Sequence, residues 1–451
     1  TSNVFAHRAR IVSNQPAAIP PHPRPSLQAM SAEPLAIEVI EVKNDDVREV
    51  APQRTQGVSF WGTVVTMLNV FVGGGSVVLP YAFRLSGWLF IPVLLAVGLL
   101  MGFTLWIMGF LLDSLDSRAD EMGVPRSQRD WGFIGYIAFG KAGRFLFAGC
   151  MFFDLAGGAL VLMSIVIEQL PFLLPIRHSA TAVLSCILAI LFCLLPKKAF
   201  SWMAVVGMAS QLFLVLGLVI TGVQLHTLDE TAKDQVVLDL SGLPRGFGIA
   251  LLCFLAHSEA PLIYQLMEDR RQWTKVVVYS MTLTEAFLLS FGILGYGFFG
   301  SSVAQSIADN IGRDLDLHLL PNALSAFLAA ATIFGLSSKQ LVTLPLLLDA
   351  TTDLFGDRMR WKSQFAMKAV ILILSTILCL VLKNAVAFIG DLVGILPANC
   401  VCVIFPCIAF LKLHGRNMSR WKCAGVFCLA IVFGLYSVYG LIDSVRQQFA
   451  M

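Results

Sequence analysis

Charge is what this sequence has least of. Of its 451 residues, 14% are Asp, Glu, Lys or Arg and 57% are hydrophobic, and the mean hydropathy is +0.76. Soluble globular proteins carry about 25% charged residues, so the composition excludes a large soluble enzyme. No basic tract with interleaved aromatics occurs, which leaves nucleic-acid binding without support. The ten cysteines fall almost entirely inside apolar stretches, and no disulfide framework is expected. Cys400 and Cys402 have no second pair and no nearby histidine to complete a zinc site. The first residues lack an apolar run followed by a small-residue cleavage site, so no signal peptide is expected.

What the sequence has in quantity is long uncharged runs. Residues 1–56 stand apart, with seven of the 19 prolines and few aromatics, and read as a disordered cytoplasmic tail. From residue 57 onward eleven apolar segments follow: 58–83, 88–112, 145–170, 180–195, 199–225, 246–268, 276–300, 320–348, 364–382, 385–411 and 423–442. A bilayer core of about 30 Å needs about 20 apolar residues per helical span. The expected fold class is therefore an all-α polytopic membrane protein with about 11 transmembrane helices over residues 57–443 and a short C-terminal tail at 444–451. With the N-terminus in the cytoplasm, inside loops carry eighteen Lys and Arg against seven outside. That bias fits the positive-inside rule loop by loop and places the C-terminus on the opposite side.

Two spans carry their own interruptions. The first reads Asn69-Val70-Phe71-Val72-Gly73-Gly74-Gly75-Ser76, with Pro80 after it. Each glycine costs about 1 kcal/mol of helix relative to Ala, and proline clashes one turn back. A helix over 58–71 is about 21 Å long, so the break falls near mid-membrane, where non-helical backbone survives only if it lines a cavity or is buried in protein. The sixth span reads Phe254-Leu255-Ala256-His257-Ser258-Glu259-Ala260-Pro261, again polar residues before a proline. Interruptions five spans apart point to an inverted-repeat transporter. Spans one to five (about 57–225) form one repeat, spans six to ten (about 246–411) the other, and span eleven (about 423–442) is extra. The alternative is a pair of packing kinks with glycine for close helix contact.

On these residues the chain resembles the amino acid/auxin permease family. Asn69, Gly73, Gly75, Leu79, Pro80, Tyr81 and Ala82 match its first-span pattern in register. Phe139-Gly140-Lys141, His257, Pro261, Met267, Gly295-Tyr296, Gly300 and Asn310-Ile311-Gly312 fit as well, over roughly residues 57–440. The resemblance implies a LeuT-like fold with a 5+5 inverted repeat plus one helix, and secondary transport of amino acids.

Candidate site residues follow from both readings. Gly73, Gly74, Gly75 and Ser76 offer free N–H groups at a half-helix end, suited to a substrate carboxylate. Phe254, Ala256, His257 and Ser258 would form the facing wall, with Ser337 and Ser338 lining it from span eight. His257, the histidine at expected mid-membrane depth, could hold a coupling proton or the substrate, or simply bond a neighbouring helix. By resemblance to the sodium-coupled branch, Asn69 and Thr343 would contribute oxygens to a sodium site. Lys339 departs from that branch. It lies one helical turn from Thr343 on the same face, where its ammonium could replace a sodium ion, and it resembles the vacuolar, proton-linked members. Glu259 and Asp154 are further coupling candidates, and Glu285 and Asp391 are buried acids of the same kind. The expectation is amino acid transport without cofactor, the coupling ion being a proton or, alternatively, sodium, in a plasma or vacuolar/lysosomal membrane. The expected partners are a small-molecule amino acid and the lipid bilayer. A transporter-like nutrient sensor signalling through the tail, and a membrane-embedded enzyme, are the readings from other classes.

Overall fold

The computed structural model describes residues 57–174, 176–192, 199–227, 234–311, 322–355, 361–381 and 386–450. The tail expected over 1–56 lies outside the described residues. The described chain is almost wholly helical. The first span is α1 (Phe60–Phe71) and α2 (Gly74–Ser86), bent by 52° at the intervening break. Then come α3 (Phe90–Glu121), α4 (Trp131–Gln169), α5 (His178–Phe192) and α6 (Ala199–Thr227). The sixth span is α7 (Leu243–Cys253) and α8 (Ala260–Leu266), followed by α9 (Trp273–Phe299) and a short turn α10 (Ile307–Asn310). α11 (Asn322–Phe355), α12 (Trp361–Val381), α13 (Val386–Val393), α14 (Phe405–His414) and α15 (Arg420–Ala450) complete the order. Helices therefore stand at all eleven expected positions. Among the described residues, six are long and apolar enough to cross a bilayer, or seven with the bent first pair, and shorter apolar helices fill the other positions.

Local chemistry sets the ends. The Ser59 side chain accepts from Gly62 N (3.3 Å) and caps α1, and Asp130 accepts from Phe133 N (3.0 Å) to start α4. Gly140 at φ 70° kinks α4, so Trp131–Phe139 is a separate helical stretch ahead of the span proper. Between α13 and α14 the helix widens into two π turns, Gly394–Ala398 and Cys400–Ile404; Pro397 lacks the N–H that a tighter ladder needs. Asn399 Nδ2 ties this stretch to α15 through Phe433 O (2.8 Å) and Ser437 Oγ (2.7 Å). The extra helix is longer than expected. α15 runs on to Ala450, because residues 443–450 contain no glycine or proline to stop it.

The helices pack in two groups. α1, α2, α3, α7 and α9 pack on one another, and α4, α5, α11 and α12 do the same; α6 bridges α11 to α9, and α13 bridges α4 to α7. The ends of the bundle are equally distinct. At one end Arg129 pairs with Asp116 (2.7 Å) and Asp120 (2.5 Å), Arg270 pairs with Asp116 (2.7 Å), and Ser114 bonds His414 (3.1 Å). Tyr264 donates to Asp113 there. Burial works against the Arg129 charge, yet its bonds to Asp120 and Asp116 hold the guanidinium above its ordinary value. At the other end Arg84 donates to Val303 O (2.6 Å), and the strip 234–242 lies over the turn between α2 and α3, with Trp88 N and Leu89 N donating to Val236 O and Val237 O.

Candidate functional site

Each glycine of the triplet meets a different neighbour. Only Gly73, at φ −137° and ψ −144°, and Val72 before it, at φ −78° and ψ 85°, leave the helical range; Gly74 and Gly75 already belong to α2. The four residues expected to offer free N–H groups, Gly73 to Ser76, are therefore unwound at Gly73 alone. A Cβ on Gly73 would stand 3.2 Å from Lys339 Nζ. One on Gly74 would stand 3.2 Å from Leu162 Cδ2, and one on Gly75 would stand 2.8 Å from Cys253 Cα. The missing side chains thus admit α11, α4 and α7 in turn to the same point. The N–H groups of Gly74 and Gly75 are in the first turn of α2, where a helix has no internal acceptor for them.

The break in span six is six residues long, Phe254 to Glu259, between α7 and α8. The two breaks meet across one buried cavity of about 70 Å³. Gly73, Gly74 and Gly75 line it from the first span, Leu255, Ala256, Ser258 and Glu259 from the sixth, Asp154, Gly158, Val161 and Leu162 from α4, and Lys339 and Thr343 from α11. Asn69 lines it as well.

Polar groups tie the two helix groups together around this cavity. Lys339 Nζ donates to Asn69 O (2.5 Å), across from α11 to α1. Thr343 Oγ1 donates either to Glu259 Oε1 (3.2 Å) or to Lys339 O (3.1 Å). Ser258 Oγ donates to Asp154 Oδ2 (2.5 Å). Asp154 Oδ1 and Asn69 Oδ1 are buried with no partner among the described residues.

Several expected residues are elsewhere. His257 is fully buried but does not line the cavity: its Nε2 is 2.9 Å from Thr104 Oγ1 on α3, and its backbone carbonyl accepts from Trp131 Nε1 (2.7 Å). The bland alternative, a histidine bonded to a neighbouring helix, describes its position. Phe254 turns its ring to Phe71, with centroids 6.3 Å apart. The Ser76 hydroxyl folds back onto Gly73 O (2.6 Å) and lies 3.4 Å from Gln211 Oε1. Ser337 is buried outside the cavity lining. The side chains of Ser338 and Asp391 lie outside the described residues. Glu285 sits on α9 against Gly98 of α3, away from the cavity.

The sequence reading missed the α4 wall beyond Asp154. The signal was present, because Asp154, Gly158, Val161 and Leu162 recur at spacings of four, three and one, which is one helical face. Nothing in the sequence marked Trp131 as the clamp on the second break. A wider opening of about 370 Å³, lined by Glu168, Pro171, His178, Gln305 and Asp309, lies toward the end that carries the strip 234–242. It touches neither break and shares no lining residue with the first cavity.

Comparison with known proteins now bears on this geometry. A family model described as a transmembrane amino acid transporter protein matches residues 56–444. The chain is 25% identical to the Arabidopsis thaliana protein named amino acid transporter AVT1D, over 94% of this chain and 79% of that one. It is also 25% identical to amino acid transporter AVT1J of the same plant, over 93% of this chain and 98% of that one. Among solved structures it resembles MhsT in complex with L-phenylalanine, at 13% identity and a TM-score of 0.53, covering 87% of this chain and 100% of that one. It resembles Mhp1, a nucleobase-cation-symport-1 family transporter, at 13% identity and a TM-score of 0.54, covering 87% and 91%. The structural likeness carries the fold alone, a LeuT-like arrangement.

Proposed function

Because this chain belongs to the transmembrane amino acid transporter family, we propose that it carries an amino acid by alternating access, linked to protons, with the two helix breaks as the substrate site. The observation that supports this is the meeting of both breaks on one buried cavity. The substrate carboxylate takes the first-turn N–H groups of Gly74 and Gly75, where the half-helix end adds positive partial charge. The apolar part lies against Val161, Leu162 and Leu255. The cavity measures about 70 Å³.

Lys339 supports the proton link over sodium. Its Nζ donates to Asn69 O, so an amine already takes the main-chain oxygen at Asn69, one of the two residues that would offer oxygens to a metal ion. The end bearing Arg129, Arg270 and His414 faces the cytoplasm, in keeping with its Lys and Arg excess. Uptake of a panel of labelled amino acids into proteoliposomes tests the whole reading. Accumulation should follow an imposed pH gradient and persist when choline replaces sodium. Accumulation that follows sodium and ignores pH would refute it.

A further inference from the structure

Counting charge around the cavity leaves one group over. Lys339 and Glu259 line the same cavity and interact as an acid and a base, and Thr343 Oγ1 donates to Glu259 Oε1 or to the Lys339 main-chain carbonyl. Asp154 has no such counterpart. Its Oδ2 takes a hydrogen from Ser258 at 2.5 Å, its Oδ1 takes none, and the residue is 0% exposed. The other titratable groups facing it are the Glu259 carboxyl across the cavity, the Cys150 thiol on its own helix and the thiols of Cys400 and Cys402 on the π-turn stretch. None of these supplies positive charge. A buried carboxylate with one hydrogen bond and no counter-ion is unstable as an anion and needs either a proton or a cation.

Its position gives that proton a consequence. Asp154 stands on α4, in the group with α5, α11 and α12, whereas Ser258 stands in the gap between α7 and α8. The bond between them therefore joins an unbroken helix to the broken one, on the wall of the substrate cavity. It is charge-assisted when Asp154 is ionised and weaker when a proton neutralises it.

We infer that Asp154 is the group that carries the coupling proton, on Oδ1, and that its bond to Ser258 couples protonation to movement of the second helix break. This rests on the proton-linked transport proposed above. A proton arriving from water on one side neutralises the carboxylate and loosens the tie to the break. After the site opens to the other side the proton leaves from the same oxygen, and no other bond is made or broken. The tie and the cavity place the proton next to the substrate, so its occupancy and that of the substrate are read by the same loop.

The test uses the full chain in proteoliposomes with a pH-sensitive dye inside, and the amino acid of a twenty-member labelled panel that the wild type accumulates fastest. Wild type should move protons and amino acid in a fixed ratio. In Asp154→Asn that ratio should fall at least about tenfold, and exchange or binding of that amino acid should lose its dependence on pH between roughly 5 and 8. Asp154→Glu should keep the ratio and shift the midpoint of the pH profile. Binding, read by intrinsic fluorescence, serves where the Asn variant no longer transports. Proton movement that survives in Asp154→Asn, or that disappears in Glu259→Gln while Asp154→Asn retains it, overturns the assignment and leaves proton-linked transport standing. Loss of binding at every pH in Asp154→Asn, with an unshifted profile in Asp154→Glu, gives the oxygen to the substrate ammonium and also overturns it. A wild type that moves no protons refutes the proposed proton link itself.

Discussion

The two helix groups contribute opposite kinds of chemistry to one cavity. The group containing α1, α2, α7 and α8 is broken twice and offers main chain: the first-turn N–H groups at Gly74 and Gly75, and Asn69 O. The group containing α4 and α11 is unbroken where it meets the cavity and offers side-chain charge in Asp154 and Lys339. The difference shows why each needs the other. An interrupted helix in a membrane exposes backbone groups that must find partners, and a buried charge must find dipoles or a counter-ion. The Lys339–Asn69 contact satisfies both requirements in one bond. Glu259 is the exception, a charged side chain in the broken group, and it is the residue that faces Lys339.

That division can be broken most severely at Lys339. Lys339→Met leaves Glu259 buried without its cation and Asn69 O without its donor, a loss of about 3–5 kcal/mol. Thermal unfolding in detergent should show a strong drop, and adding Glu259→Gln should recover most of it. If the double variant is no better than the single one, the two charges do not act as a pair. Next in size is Gly75→Ala. A Cβ there would stand 2.8 Å from Cys253 Cα, forcing α2 and α7 apart at a cost of about 1–3 kcal/mol. Gly74→Leu sharpens the comparison differently, since its neighbours are side-chain tips on Leu162 and Val161. That variant should fold and elute as wild type yet show no uptake, and uptake at the wild-type rate would move the site elsewhere.

A smaller effect is expected at the clamp on the second break. Trp131→Phe keeps the buried ring but removes the donor to His257 O, costing about 1 kcal/mol. Hydrogen exchange over residues 254–259 should rise in this variant; unchanged protection would show that the bond does not hold the break. The smallest effect belongs to the strip 234–242. Hydrogen bonds from the Ser241 side chain and backbone, and from Gly242 N, hold the exposed Asp239 carboxylate below its ordinary range. A depressed folded value means the contribution is complete above the ordinary Asp range and is lost as pH falls through that range toward the folded value. Acid should therefore loosen this strip by a fraction of a kcal/mol, and Ser241→Ala, which keeps the two backbone donors, should reduce the acid sensitivity of its exchange.

The sequence made the spans legible because an uncharged run of twenty or more residues has few homes other than a bilayer. It made both breaks legible through Gly73-Gly74-Gly75 and through polar residues ahead of Pro261. The direction in which each residue faces was not legible. His257 turns from the cavity because Thr104, 153 positions away, receives its imidazole. Asp154 gains its meaning from Ser258, 104 positions away. Which neighbour each glycine admits depends on three helices whose approach no local pattern encodes. Ser76 was a reasonable candidate by type, but its hydroxyl, three residues past Gly73, closes on the Gly73 carbonyl instead.

The central claim, that the two breaks and the two side-chain charges enclose the substrate, is tested most directly by a structure determined with a transported amino acid bound. The account predicts density in the cavity, with the substrate carboxylate within hydrogen-bonding distance of Gly74 N or Gly75 N and the rest of the molecule between Val161 and Ala256. Density confined to the opening beside Glu168 and Asp309, with the cavity at the breaks unchanged, would contradict it.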